Sequence, residues 1–151
     1  MRLGFDLDGV VVNINTALLR LIDLNKNLID EHNLLLDIYY RNCKNILNPY
    51  NLMHENDHAV FITARPIELQ NITKRWQEKY YPNIKLIMVG QNPIPQHAAN
   101  FDFKKWQDDI VERKYKAIID NNIDIYFDDN PSIIEGLRNK GITAVQIGGR
   151  I

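Results

Sequence analysis

Short apolar runs recur along the chain, and between most of them apolar residues return at helical spacing. Arg2-Leu3-Gly4-Phe5 predicts a first buried strand, His58-Ala59-Val60-Phe61-Ile62 a second, and Ile84-Lys85-Leu86-Ile87-Met88-Val89 a third. Ile123-Asp124-Ile125-Tyr126-Phe127 and Thr143-Ala144-Val145-Gln146-Ile147 complete the set. After the second strand, Pro66 suits the first turn of a helix carried on by Ile67, Leu69, Ile72 and Trp76. Beyond a loop with Pro93 and Pro95, Trp106, Ile110 and Val111 lead into Lys114 to Asn121, in register through Ala117 and Ile118. Ile133, Ile134 and Leu137 mark a last helix that ends near Gly141. Strands separated by helices imply right-handed crossovers and a parallel sheet covered on both faces, an α/β architecture in three layers.

One block departs from this alternation. Residues 14–55 hold no convincing strand; Leu18, Leu21, Ile22 and Asn25 fall at helical spacing, as do Leu34, Leu35, Ile38 and Tyr39, with Asp30 as N-cap of the second helix. Asn48-Pro49 breaks the pattern before a short Leu52/Met53 segment. The expected organisation is a core of residues 1–13 and 56–151 interrupted by a helical insertion at 14–55.

At 151 residues the chain suits a single core. Its net charge of −1 supplies no global field for nucleic acid or an acidic membrane. The single cysteine, Cys43, excludes an internal disulfide framework and a cysteine-rich zinc site. No apolar stretch approaches a membrane span and residues 1–20 lack a signal-peptide pattern, so the expectation is a cytoplasmic protein with no membrane partner.

The chemistry sits where the strands stop. The first ends in Asp6-Leu7-Asp8-Gly9, where Gly9 allows a turn that brings both carboxylates to the strand's mouth. The second ends in Thr63-Ala64-Arg65-Pro66 and the fourth in Asp128-Asp129-Asn130-Pro131. In open parallel sheets, ligands bind beyond the carboxyl ends of the strands, so these three clusters converge on one site. A calcium loop is the competing reading of Asp6-x-Asp8-Gly9, but Val10, Val11 and Val12 follow where such a loop needs further oxygen ligands. A plain turn with two solvated carboxylates is the other.

Taken in order, Asp6-x-Asp8-Gly9-Val10, Thr63, a lysine before the fourth strand, and Asp128-Asp129 resemble the four motifs of the haloacid dehalogenase superfamily of phosphohydrolases, over the whole chain. The resemblance implies a Rossmann-like three-layer sandwich with a five-stranded parallel sheet, and it places residues 14–55 at the family's cap position. It implies Asp6 as nucleophile forming an aspartyl-phosphate and Asp8 as general acid and base. Magnesium would be held by Asp6, the backbone carbonyl of Asp8 and Asp129, with Asp128 acting through water. Phosphate would be bound by Thr63 and Ala64 at a helix start, by Arg65, and by the motif lysine. Lys114 and Lys116 both qualify for that last role; Lys116-Ala117-Ile118-Ile119 matches the family pattern better and is the favoured choice. Arg65 pairing with Glu68 on the surface is the bland alternative to phosphate binding. Asn13, Tyr39, Tyr40 and Tyr50 are candidates for substrate contact, with core packing favoured for the tyrosines.

The expected activity is a magnesium-dependent phosphomonoesterase. Thr63-Ala64-Arg65-Pro66 resembles members acting on nucleotides or polynucleotide ends, and a deoxyribonucleotide is the first expectation for the substrate. Asn13 stands where small nucleotidases of the superfamily carry an aspartate, a departure from that group. Phosphatase action on polynucleotide 3′ ends is the second reading. It would need a local basic edge from Lys104, Lys105, Arg113 and Lys114, since the chain as a whole is not basic. A phospho-receiver uses similar residues in a different order along the chain, and a catalytically silent phosphate-binding module is the remaining non-enzyme option.

Overall fold

The computed structural model describes residues 1–14, 35, 38, 39, 42–90 and 100–148. Five strands form one sheet: β1 (Arg2–Phe5), β2 (His58–Thr63), β3 (Lys85–Met88), β4 (Ile125–Asp128) and β5 (Ala144–Gln146). Their order is β3-β2-β1-β4-β5, and every pairing is parallel. Among the described residues the helices are α1 (Gln70–Tyr80), α2 (Phe103–Asp120) and α3 (Pro131–Asn139), with short 3-10 turns at Pro49–Leu52 and Ile67–Leu69. This is the predicted three-layer α/β sandwich.

Alternation within the strands assigns the layers. In β2, Val60 and Ile62 face a cluster made with Ile110, Val111 and Ile118 of α2 and Ile133, Ile134 and Leu137 of α3. Ala59 and Phe61 face the opposite cluster, with Leu3, Phe5 and Trp76 of α1. Each helix buries one stripe against the sheet, as an amphipathic helix must. Gly4 breaks the alternation of bulky residues in β1 for a reason that reaches the site. A Cβ there would lie 2.8 Å from the Tyr126 ring, so the glycine lets that ring lie across β1 from β4. Its hydroxyl then donates to the Ile62 carbonyl of β2 at 2.9 Å.

One predicted detail changes. The helix after β2 does not begin at Pro66: Thr63 ends the strand, Pro66 caps a 3-10 turn, and the α-helix starts only at Gln70. The register predicted from Trp106 through Ile118 holds as one continuous helix, capped by the Asp102 carboxylate accepting from the Lys105 N–H. Of the insertion, Leu18, Leu21, Ile22, Asn25, Asp30, Leu34 and Tyr40 lie outside the described residues. Its return is anchored to the core, where Asn13 N–H donates to the Lys44 carbonyl and Ile46 N–H to that of Val11, both at 2.8 Å. Tyr39 packs beside Leu69 and Ile72. Tyr50 packs on Tyr81, beyond the C-terminal end of α1 and at the opposite end of the sheet from the predicted site, which removes it from substrate contact.

Candidate active site

The sheet's order reverses between β1 and β4, since β2 and β3 follow β1 on one side and β4 and β5 lie on the other. That switch point is where a parallel sheet opens a crevice. Asp6 enters it directly from β1, its backbone N–H held by the Phe127 carbonyl at 2.8 Å. The chain then turns sharply: the N–H groups of Val10, Val11 and Val12 all point at the Leu7 carbonyl, and the three valines are buried. Gly9 makes the turn with φ +87°, and a Cβ there would sit 2.1 Å from an Asp129 carboxylate oxygen. Glycine is thus required twice over, for the backbone and for the approach of Asp129.

Asp6, Asp128 and Asp129 present carboxylate oxygens within 4.8 Å of one another, with Asp6 and Asp128 buried. Lys114 reaches into this group from α2, its Nζ 3.1 Å from Asp6 and 2.6 Å from Asp128. Its ammonium also lies 5.5 Å from the centroid of the Tyr126 ring. Burial alone would lower the Lys114 pKa, but Asp6, Tyr126 and Asp128 outweigh it and hold the lysine well above its usual range. Burial pushes Asp6 up to about 8; Lys114 opposes this, while Asp128 and Asp8 add to it. Asp6, Asp128 and Asp129 offer oxygen donors of the type a hard divalent cation takes, so the cluster fits such a metal. Asp128 is engaged at both oxygens, by Lys114 and by the Asn130 N–H at 2.9 Å, and Asp6 is engaged by Lys114.

The second half of the site is built on Arg65. Its Nε donates to Asp8 Oδ2 at 2.8 Å and its Nη2 to Asp8 Oδ1, a two-pronged ion pair. Its Nη1 donates to the Thr73 hydroxyl of α1 at 3.2 Å. The Arg65 side chain is 2% exposed and that of Asp8 20%, so the cation is sealed and the carboxylate still faces the mouth. Thr63 is buried, and its Oγ1 accepts from the Arg65 N–H at 3.3 Å, folding the strand end into a local turn. Ala64 packs against the core beside it. Gly90 closes the turn from β3: a Cβ there would meet the Arg65 carbonyl at 1.9 Å.

Against the sequence-based expectations, the structure brings together Asp6, Asp8, Thr63, Ala64, Arg65, Asp128 and Asp129. It does not bring Lys116, which is exposed and paired with Asp120 one helical turn on, at 2.6 Å. The lysine between the carboxylates is Lys114. A signal for this was present in the helix itself, because Lys114 lies in register with Ile110 and Ile118 on the buried stripe, and Lys116 does not. Thr63 and Ala64 do not stand at a helix start, since Pro66 caps the 3-10 turn that follows, and Arg65 pairs with Asp8 rather than with Glu68. The basic edge also fails to assemble: Lys114 is interior and Arg113 is held by Asp109 at 2.9 Å. Sequence reasoning missed Thr73, Tyr126 and Gly90, whose roles depend on contacts across the fold.

No protein-family model and no curated protein matches this chain. Among solved structures, chains of the Pnkp1/Rnl/Hen1 RNA repair complex and of the Pnkp1/Rnl/Hen1 complex share its fold, with TM-scores of 0.51 and 0.50 at 11% identity. The matches cover 99% of this chain but only 43% and 47% of those chains, so it spans less than half their length. At that identity the likeness bears on the fold alone. The shared fold is a Rossmann-like three-layer α/β sandwich, and in this chain Asp6, Asp128 and Asp129 could together hold a metal ion.

Proposed function

We propose that this protein is a magnesium-dependent phosphomonoesterase working through an aspartyl-phosphate on Asp6, with a nucleotide as substrate. The observation that carries the reading is the pair of cations at the switch point: Lys114 set between Asp6 and Asp128, and Arg65 set on Asp8. A phosphate monoester repels nucleophiles by its own charge, so its site must supply positive charge beside an anionic nucleophile. Magnesium, held by Asp6 and Asp129 with the Asp8 backbone carbonyl, would add positive charge beside that of Lys114. Lys114 keeps Asp6 aimed and neutralises charge on the transferring phosphoryl group. Asp6 attacks phosphorus, the ester P–O bond breaks, and Asp8 gives a proton to the departing alkoxide. Asp8 then takes a proton from the water that attacks the aspartyl-phosphate, and the bond from Asp6 to phosphorus breaks to release phosphate. The backbone around Thr63 and Ala64 lines the phosphate side.

The likeness of Thr63-Ala64-Arg65-Pro66 to phosphatases acting on nucleotides or polynucleotide ends supports this substrate class, and the net charge of −1 favours the free nucleotide. The end of a polynucleotide is the second reading, favoured by the RNA repair complex among the structures of the same fold. The test is phosphate release with magnesium from deoxynucleotides, ribonucleotides, sugar phosphates and a 3′-phosphorylated oligonucleotide, beside an Asp6→Asn control. Release that requires the metal and falls by about 10⁴-fold or more in the control is the expected result. Release that persists in the Asp6→Asn protein would rule out the covalent route.

A further inference from the structure

We propose that Thr73 is a positioning residue for Asp8, acting through Arg65. The proposal rests on the reading of Asp8 as the group that handles the leaving-group proton. Thr73 lies on α1, fully buried, on the stripe that carries Ile72 and Trp76 into the core. A hydroxyl there is costly unless it has a partner, and valine would fill the same space at no such cost. The hydroxyl accepts from Arg65 Nη1 at 3.2 Å.

That contact fixes what the rest of the guanidinium does. Arginine is a long side chain with a rigid planar head, so holding one nitrogen orients the other two. In Arg65 those other two, Nε and Nη2, take both oxygens of Asp8. The carboxylate plane is thereby set by a group on a different strand end and, behind it, by a helix. The exposures run in the matching order: Thr73 at 0%, the Arg65 side chain at 2%, the Asp8 side chain at 20%. The reacting group meets the mouth while its support is sealed away from solvent. Such backing holds a catalytic group to the small tolerance that proton transfer needs.

The test uses two substrates and three variants. An alkyl phosphate expels an alkoxide that must be protonated, whereas p-nitrophenyl phosphate expels a phenolate that leaves without help. Thr73→Val keeps shape and loses the hydroxyl; Thr73→Ser keeps the hydroxyl and loses the methyl. The expected result is a fall in kcat/KM for the alkyl phosphate of up to about 10²-fold in Thr73→Val, with far less change for p-nitrophenyl phosphate. The Ser variant should retain the wild-type ratio between the two substrates. Arg65→Lys keeps the charge but loses the fork, and should show the same leaving-group dependence should the Val variant fold poorly. Equal losses on both substrates, or a Ser variant hit as hard as the Val one, would overturn the proposal and make Thr73 a packing residue. A wild-type protein inactive on both substrates, yet folded, would instead overturn the reading of Asp8 before any variant is made.

Discussion

The two cations of the site sit in opposite electrostatic situations. Arg65 meets Asp8 as a matched pair, one positive fork on one carboxylate, with the Thr73 hydroxyl taking a further N–H. Lys114 meets two carboxylates, Asp6 and Asp128, and the Asp129 carboxylate stands within the same cluster. One half is a closed ion pair. The other gathers three oxygen donors that could also hold a metal ion, and that capacity separates it from the Arg65 pair.

Removing each cation should therefore have different consequences. Lys114→Met leaves two buried carboxylates without their ammonium and should cost about 3–5 kcal/mol of metal-free stability. Magnesium should restore part of that loss, since it brings positive charge to the same carboxylates. Arg65→Met strands Asp8, which is partly exposed, and should cost about 1–3 kcal/mol. Magnesium should restore none of it, because the Asp8 side chain stands outside the Asp6/Asp128/Asp129 cluster. Urea unfolding of both variants with and without magnesium reads the difference. An equal response to the metal would break the distinction between the halves.

The carboxylate cluster should also respond to pH. Asp6 is held up to about 8 by burial, against Lys114 and with Asp128 and Asp8 adding to the effect. Its folded pKa lies above that of an unfolded carboxylate, so the folded state binds this proton more tightly. The stability that Asp6 contributes without metal is present at low pH and is lost as pH rises from about 4 to 8. Magnesium must displace that proton, so its affinity should weaken by up to about tenfold per pH unit below 8. Melting temperature against pH, with and without magnesium, measures both, and Asp6→Asn should flatten the metal-free curve.

What could be read ahead of the structure follows from the range of each interaction. The strand ends were legible because a buried strand shows itself by apolar residues and stops where polar ones begin; Asp6, Thr63 and Asp128 each stand at such an edge. Their convergence followed from parallel topology. The partner of Arg65 was not legible, because Asp8 lies 57 residues away and Glu68 only three. Local spacing favours the near carboxylate, and only the β1–β2 pairing brings the far one closer. Tyr126 likewise reads as an ordinary strand aromatic until Gly4 clears the space that lets it cross β1 beneath Lys114.

The smallest predicted effect belongs to the lysine that motif spacing favoured. Two residues along a helix turn the side chain through more than half a revolution, so Lys114 and Lys116 cannot serve the same face. Lys114 continues the buried series Ile110, Lys114, Ile118, where a charge persists only because carboxylates meet it. Lys116 projects into solvent and pairs with Asp120, an exposed i, i+4 contact that water and salt screen. Lys116→Ala should therefore change stability by no more than about 0.5 kcal/mol and leave phosphate release and its metal dependence untouched. A fall in activity comparable to that of a Lys114 variant, seen in the same phosphate-release assay, would move the site's positive charge to the outer face of α2. The sealed cluster at the switch point would then be a structural ion-pair network.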